Sequence, residues 1–207
     1  YDISSVSASI ANLLDTYGTD LQVLEKARAT GDLMEVGSVN SILFKPPVYY
    51  PRKLLCVAGN YVAHIEEGGG KLQPAHTQAP WLFCVPPTSV MIGHGEEIQL
   101  LPQSQKIDYE GELAVIIGIG GRGIKKEDAY DHVFGYTVSN DVTARKLQHQ
   151  HKQWTIGKGL DGYCPMGPSI LTSDEVKDPT KLHLQTWVNG ELRQDAKVSD
   201  LIFDIPI

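Results

Sequence analysis

The stretch that decides the fold is Glu110-Gly111-Glu112-Leu113-Ala114-Val115-Ile116-Ile117, in which two acids open an apolar, strand-forming run. Because side chains at i and i+2 of a strand point to the same side, the carboxylates of Glu110 and Glu112 share one face. A third acid, Asp141, stands at the predicted end of a later strand, in Ser139-Asn140-Asp141-Val142-Thr143-Ala144-Arg145. A pocket of three carboxylates suits a hard cation such as Mg²⁺, which prefers oxygen ligands.

The same acids could instead belong to an ordinary exposed strand face, since such faces often carry carboxylates. The spacing alone does not distinguish a metal site from an exposed face. Two details favour a site. The run after Glu112 is apolar on both faces, so the acids border a core and not a solvated edge. Asp141 also follows Asn140 at a strand end, where active-site groups often lie.

Composition limits the classes of protein that the chain can belong to. With 207 residues, 42% of them hydrophobic and 21% charged, it can bury the core of one large domain or two unequal ones. A net charge of −7 without a basic stripe argues against nucleic acid as a partner. Three scattered cysteines indicate no disulfide framework and no zinc site, so we expect a reducing, cytoplasmic setting, with mitochondria as the alternative. No apolar run approaches the ~18 residues of a membrane span.

A helical N-terminal part precedes a part dominated by strands. Residues 3–31 predict two helices separated at Gly18, and the prolines of residues 40–53 predict a linker. Asn189-Gly190 predicts a hairpin turn. Short helices are expected at Lys125–His132 and Val142–Gln153. The predicted strands are Leu54–Ala58, Trp81–Val85, Glu112–Ile119, Phe134–Ser139 and His183–Val188.

Three further motifs are ambiguous. Gly118-Ile119-Gly120-Gly121-Arg122-Gly123 fits a dinucleotide-binding pattern, but the short, charged segment after it favours simple turn glycines. Lys158 stands between two glycines, which is typical either of an exposed turn or of a cation that a ligand can approach closely. His64 and Glu67 are neighbours if their stretch is helical, which predicts either an oriented general base or a solvated face.

Several of these segments, taken in their order and spacing, resemble the fumarylacetoacetate hydrolase family. The resemblance runs from residue 51 to residue 207, about three quarters of the chain. The segments that carry it are Pro51 to Tyr61, Asp108-Tyr109-Glu110-Gly111-Glu112-Leu113, Ser139 to Arg145, and Trp154-Thr155-Ile156-Gly157-Lys158-Gly159-Leu160-Asp161.

The resemblance implies an α+β, mainly β fold: a mixed β-sandwich roll that carries the site, preceded by a small N-terminal domain. We therefore expect a small domain and linker at residues 1–50 and a catalytic domain at residues 51–207, incomplete at its C-terminus. Family members are commonly homodimers. They cleave, decarboxylate or isomerise small diketo and oxo acids.

The implied function is divalent-metal-dependent hydrolysis of a C–C bond in an acylpyruvate or fumarylacetoacetate-type acid through a metal-stabilised enolate. Decarboxylation or isomerisation of an oxaloacetate-like acid on the same site is the alternative, and a non-catalytic ligand-binding relative is another. The implied metal is Mg²⁺ (or Mn²⁺). The implied residues are Glu110, Glu112 and Asp141 for the metal, His64, Glu67 and Lys158 for catalysis, and Gln148, Arg145 and Tyr61 for the substrate.

The sequence departs from the family pattern in three places. Val85 stands where the family usually has Lys, which removes a cation from the expected site. Gly68-Gly69-Gly70-Lys71 predicts an unusually mobile closing segment after Glu67. The family's last strands and its Gly-Thr-Pro-type loop are not in this sequence, and we expect residues to be missing at both ends.

Overall fold

The computed structural model describes residues 3–35, 37–67, 69, 79–102 and 106–207. Over these residues the architecture is α+β and mainly β, as predicted. The helices are α1 Ile10–Tyr17, α2 Gln22–Thr30, α3 Val62–Glu67, α4 Pro87–Val90, α5 Arg145–Gln150 and α6 Thr155–Lys158. The strands are β1 Leu54–Ala58, β2 Trp81–Val85, β3 Met91–Ile92, β4 Ile107–Asp108, β5 Gly111–Ile117, β6 Val133–Asn140, β7 Thr143–Ala144, β8 Cys164–Pro165, β9 Leu171–Thr172, β10 His183–Val188 and β11 Glu191–Lys197. Short 3₁₀ turns occur at Val39–Ser41, Lys126–His132, Pro179–Lys181 and Val198–Asp200.

The first helix begins and ends where its local chemistry requires. The side chain of Ser9 accepts a hydrogen bond from the amide of Asn12, which satisfies one of the free N–H groups at the start of α1. Gly18, with φ +62°, ends the helix in a conformation that other residues rarely adopt. The buried side chains of Leu13 and Leu14 pack with Phe134 of β6, so α1 covers one face of the main sheet.

Strand β6 is the centre of the main sheet, whose order is β5-β6-β9. Its residues from Val133 to Thr137 are buried because β5 and β9 flank it and helices cover it. The antiparallel register pairs Glu112 of β5 with Ser139 of β6. This register brings the end of β6, and therefore Asp141, beside the two acids at the start of β5.

Strands β1 and β2 form a separate antiparallel pair in which Cys56 lies opposite Phe83. Alternate residues of β1 are exposed, and Leu55 and Val57 face away from the protein core. The opposite face of the pair, with Cys56 and Phe83, lies towards the acids. Both strands have the bounds that the sequence predicted.

The β10–β11 hairpin closes on the predicted turn, where Asn189 and Gly190 both have positive φ (52° and 83°). The hairpin also contacts the start of β5, because the amide of Gly111 donates to the side-chain oxygen of Gln194 at 2.8 Å. A Cβ at position 111 would lie 2.2 Å from the Thr186 hydroxyl, so only glycine fits here.

One expectation from the sequence needs correction, and one ambiguity is resolved. The helix predicted over Val142–Gln153 is instead the short strand β7 followed by α5, since the buried Thr143 pairs with Asp108 of β4. The segment after Gly123 forms a 3₁₀ turn and not the long helix of a dinucleotide-binding unit, which agrees with the turn interpretation. No helix in the described parts of the chain has the length and apolar character needed to cross a bilayer.

Candidate metal centre

The three acids singled out in the sequence meet in space. One carboxylate oxygen from each of Glu110, Glu112 and Asp141 lies within 4.8 Å of the other two. The main chain fixes this arrangement, because the amide of Asp141 donates to the carbonyl of Glu110 at 2.8 Å. The Asn140 side chain in turn accepts the amide of Glu110 at 2.9 Å. Asp141 is only 4% exposed, so the cluster lies at the edge of the core and not on a solvated face.

Lys158 is the cation of this cluster, and the exposed-turn interpretation of its sequence is wrong. Its side chain is 2% exposed, and its Nζ donates to Glu110 Oε2 at 2.6 Å, to Asp141 Oδ2 at 2.6 Å and to the Thr143 hydroxyl at 2.8 Å. The glycine before it allows α6 to approach α5, because a Cβ at Gly157 would lie 2.8 Å from the amide nitrogen of Gln148.

Arg145, the first residue of α5, provides a second cation. Its Nη1 contacts Glu110 Oε1 at 2.7 Å and donates to the side-chain oxygen of Gln148 at 3.1 Å. Its Nε and Nη2 both contact Asp108 Oδ2 at 2.8 Å. Each oxygen of Glu110 is therefore held by a different cation, Arg145 on one side and Lys158 on the other.

Burial and the repulsion of nearby acids raise the pKa values of two of the carboxylates, Glu112 and Asp141. Burial, with the nearby Asp141 and Glu110, raises the pKa of Glu112 to about 8, although Lys158 opposes the shift. Burial also raises the pKa of Asp141 to about 6, against the lowering effect of Lys158. Burial alone would lower the pKa of Lys158, but Asp141 and Glu110 outweigh it and the pKa is raised, so Lys158 carries its charge at neutral pH.

The charge balance of this cluster fits a divalent metal ion. When ionised, the carboxylates of Asp108, Glu110, Glu112 and Asp141 contact two cations within the described part of the chain, Lys158 and Arg145. The surplus is two negative charges, and three of these four acids, Glu110, Glu112 and Asp141, have oxygen atoms within 4.8 Å of one another. The donor set consists only of carboxylate oxygens, which suits a hard cation.

Tyr61 lies at the border of the cluster. Its hydroxyl is buried and has no hydrogen-bond partner in the described part of the chain. Burial and then the charge of Glu112 raise its pKa, which places the phenol within electrostatic reach of that carboxylate. A buried hydroxyl without a partner is costly in a protein interior, so this one is available to a ligand.

His64 and Glu67 lie on α3, so the predicted helical turn is present. Both side chains are exposed, and among the described residues no hydrogen bond joins them. The start of α3 is held firmly: the Asn60 side chain donates to the carbonyl of Phe203 at 2.9 Å and accepts its amide at 2.8 Å. Three members of the glycine-rich stretch, residues 68, 70 and 71, lie outside the described residues.

The inner face of the β1–β2 pair covers the cluster with apolar side chains. The ring of Phe83 lies 5.5 Å from Lys158 Nζ, and the ring of Trp154 contacts Phe83 edge-on at 5.7 Å between centroids. Val85 is 3% exposed and packs with Val90, Cys164 and Met166, so this position contributes a hydrophobic wall and no cation. Burial, with Asp141 and Glu112, raises the pKa of Cys56 and raises that of Cys164 to about 12, so both thiols stay protonated.

The structure therefore brings together six of the nine site residues expected from the sequence: Glu110, Glu112, Asp141, Lys158, Arg145 and Gln148. Tyr61 borders them, and His64 and Glu67 stand apart on α3. Asp108 and Thr143 also belong to the cluster's contacts but were not predicted from the sequence. Their spacing was the available signal, because Asp108 lies two residues before Glu110 and Thr143 two residues after Asp141, which is the period of an extended chain.

Comparison with known proteins identifies the family of the chain. Residues 53–207 match the family model described as fumarylacetoacetate (FAA) hydrolase C-terminal. The chain is 44% identical over 192 residues to the oxaloacetate tautomerase YisK of Bacillus subtilis (strain 168), covering 89% of this chain and 62% of that protein.

Two solved structures are similar as well. The fumarylacetoacetate hydrolase EaFAH of the psychrophilic Exiguobacterium antarcticum is 43% identical with a TM-score of 0.70, over 78% of this chain and 57% of that one. A 5-carboxymethyl-2-hydroxymuconate delta-isomerase of Mycobacterium smegmatis is 36% identical with a TM-score of 0.70, over 81% of this chain and 63% of that one. In all three comparisons the chain spans less than two thirds of the relative's length.

Proposed function

This chain belongs to the fumarylacetoacetate hydrolase family, and we propose that it is a divalent-metal-dependent enzyme that interconverts the keto and enol forms of oxaloacetate or a close 2-oxo acid. The observation that carries the proposal is the cluster of three carboxylates at the edge of the core, two of which, Glu110 and Asp141, are held by Lys158. The name of the Bacillus subtilis relative supports this reaction class, as does the isomerase among the similar structures.

Glu110, Glu112 and Asp141 would hold the metal, for which we propose Mg²⁺ (or Mn²⁺) because every donor is a carboxylate oxygen. A bound divalent ion supplies a Lewis acid that polarises a 2-oxo group and makes the neighbouring C–H more acidic.

The chain's own residues have separate tasks in this proposal. Lys158 keeps Glu110 and Asp141 in place and offsets negative charge from an anionic substrate. Arg145 donates to the side-chain oxygen of Gln148, which leaves the Gln148 NH₂ group free to donate to a substrate oxygen. The unpartnered Tyr61 hydroxyl is a second donor.

A keto–enol exchange needs one group that carries a proton from C3 to the oxygen on C2. We propose His64 for this step, because histidine is the side chain best suited both to accept and to release a proton in general acid–base catalysis. Its exposed position on α3 means that the side chain must turn towards the cluster when substrate binds. Glu67, one turn further along the same helix, would orient the ring.

The direct test is tautomerisation of oxaloacetate, followed by enol absorbance, with protein stripped by EDTA and then supplied with Mg²⁺ or Mn²⁺. We expect metal to restore turnover above the buffer rate. Asp141→Asn should lose both metal affinity and turnover, whereas Asp131→Asn, an exposed acid on the 3₁₀ turn, should lose neither. Tautomerisation that is indifferent to EDTA and to Asp141→Asn would contradict the proposal.

A second candidate is hydrolysis of a C–C bond in an acylpyruvate or fumarylacetoacetate-type acid. The placement of His64 and Glu67 on one helical turn favours it, because water activation needs such a base. The name of the Exiguobacterium structure supports it too. Here His64 would remove a proton from water, and the water oxygen would attack the distal carbonyl. The C–C bond would then break, its electron pair would leave with the 2-oxo acid fragment as an enolate, and protonated His64 would return the proton to that carbon.

His64→Ala tests both candidates. We expect it to leave Mn²⁺ affinity unchanged and to lower hydrolysis or tautomerisation by roughly 10²–10⁴-fold. His149→Ala, on the exposed side of α5, is the matched control. Hydrolysis and tautomerisation that both remain at the wild-type rate would remove His64 from the mechanism. Loss of CO₂ from oxaloacetate in the same assay would instead identify a decarboxylase, and metal binding without turnover would indicate a ligand-binding relative.

A further inference from the structure

We propose that Asp108 is a positioning residue that sets the affinity for metal and substrate by holding Arg145. The inference rests on the proposed function of the carboxylate cluster, and it concerns an acid that is not one of the three clustered carboxylates. Asp108 acts through one guanidinium group, which in turn touches both a metal-site carboxylate and the predicted substrate-binding amide.

The backbone places Asp108 for this task. Asp108 belongs to β4 and pairs with Thr143 of β7, and Arg145 follows β7 directly as the first residue of α5. The amide of Arg145 donates to the carbonyl of Lys106 at 3.0 Å, so the two segments are tied on both sides of the ion pair. The Asp108 carboxylate therefore has a fixed position beside the arginine.

The contacts divide the guanidinium into two edges. Nε and Nη2 both point to Asp108 Oδ2 at 2.8 Å. Nη1 remains for Glu110 Oε1 at 2.7 Å and for the side-chain oxygen of Gln148 at 3.1 Å. Arg145 thus gives Glu110 only one donor, and it fixes the orientation of the Gln148 amide at the same time.

Loss of the Asp108 charge would change how Arg145 shares its N–H groups between Asp108, Glu110 and Gln148. An arginine that is not held on one edge tends to take a carboxylate with two parallel hydrogen bonds. If Arg145 turned its free edge to Glu110, it would occupy oxygen lone pairs that the metal needs, and it would release Gln148. The cluster would also lose one of the two surplus negative charges that attract a divalent ion. Both effects weaken metal binding.

The experiment measures Mn²⁺ affinity by calorimetry on the full chain, without substrate. We expect Asp108→Asn to bind Mn²⁺ about 10–100-fold more weakly than wild type, the range typical of lost outer partners of metal ligands. Asp108→Glu, which keeps the charge, should bind with nearly wild-type affinity. Asp131→Asn, which removes one exposed charge elsewhere, should bind like wild type.

Two further measurements separate positioning from a general structural effect. With saturating metal, Asp108→Asn should raise KM for the oxo acid, because Gln148 is no longer oriented, while kcat falls by less. In an Arg145→Met background, Asp108→Asn should cause no further loss of Mn²⁺ affinity, since the group through which it acts is gone. An additive loss in that background, or unchanged affinity in Asp108→Asn alone, would overturn the inference.

The outcomes also separate this inference from the proposed function. A wild-type protein that binds Mn²⁺ but converts no oxo acid refutes the proposed function, and Asp108 is still judged by the affinity series. A wild-type protein that binds no Mn²⁺ would overturn both.

Discussion

Replacing Lys158 with methionine tests the electrostatic account of the site most directly. The substitution keeps the apolar stem and removes a buried ammonium group that donates to Glu110, Asp141 and Thr143 at 2.6–2.8 Å. Two carboxylates at the edge of the core then lose their shared cation. Removing one partner of a buried ion pair typically costs about 3–5 kcal/mol. At roughly 2–4 °C per kcal/mol for a chain of this size, the metal-free Lys158→Met protein should melt about 6–20 °C below wild type.

The same variant should respond more strongly to metal. In wild type, a divalent ion at 100 times its Kd adds about 2.7 kcal/mol to the free energy of unfolding. In Lys158→Met the ion also replaces the missing positive charge, so the rise in melting temperature on adding Mn²⁺ should be larger. Differential scanning calorimetry in EDTA and in excess Mn²⁺ measures both quantities.

The control is Lys181→Met, which removes an exposed lysine whose contact with Asp178 lies on the surface. Such pairs contribute about 0–1 kcal/mol, so this variant should melt close to wild type with or without metal. The account of the site would be refuted if metal-free Lys158→Met melted within about 2 °C of wild type. A metal response no larger than that of wild type would refute it equally.

Two more variants probe the acids and the strand that carries them. Since the pKa of Glu112 in the folded protein is raised from 4.5 to about 8, its contribution to stability is complete below pH 4.5 and is lost as the pH rises to about 8. In EDTA the wild-type melting temperature should therefore fall over this range more steeply than that of Glu112→Gln. Gly111→Ala would place a Cβ 2.2 Å from the Thr186 hydroxyl, which should cost about 1–3 kcal/mol and weaken Mn²⁺ binding, because residue 111 lies between two metal-site acids.

A specific result would contradict each of these two predictions. Parallel melting curves of wild type and Glu112→Gln between pH 5 and 8 would show that Glu112 titrates near its ordinary pKa. For the glycine, the matched control is Gly120→Ala, whose Cβ would meet nothing within 4 Å. Equal stability and equal Mn²⁺ affinity in the two alanine variants would show that the β10–β11 hairpin does not constrain the start of β5.

The sequence predicted local features of the fold well. Strands β1, β2 and β10 have the predicted bounds, because short apolar runs were bounded by turn residues. The Asn189-Gly190 hairpin followed from residues that accept positive φ. The shared face of Glu110 and Glu112 was predicted from strand periodicity, which is a local property, whereas Asp141 was singled out by its place at a predicted strand end.

What the sequence did not reveal depends on contacts between distant segments. Lys158 between two glycines is typical of an exposed turn, yet the charges of Glu110 and Asp141 stabilise it in the interior. Thr143 lies in a strand and not in the predicted helix, because it pairs with Asp108 from another part of the chain. The partner of Arg145 is set by this same pairing.

The two hydrogen bonds between the Asn60 side chain and the main chain of Phe203 affect the order in which the protein folds during synthesis. The two residues are 143 positions apart, and these bonds fix the beginning of the helix that carries His64. A ribosome that adds about 5–20 residues per second needs roughly 7–30 s to cover that distance. During this interval the newly made helix α3, which carries His64, lacks its contact with Phe203. The helix that carries the proposed proton carrier therefore gains this contact late in synthesis, and a chain interrupted before Phe203 would carry the three acids without it.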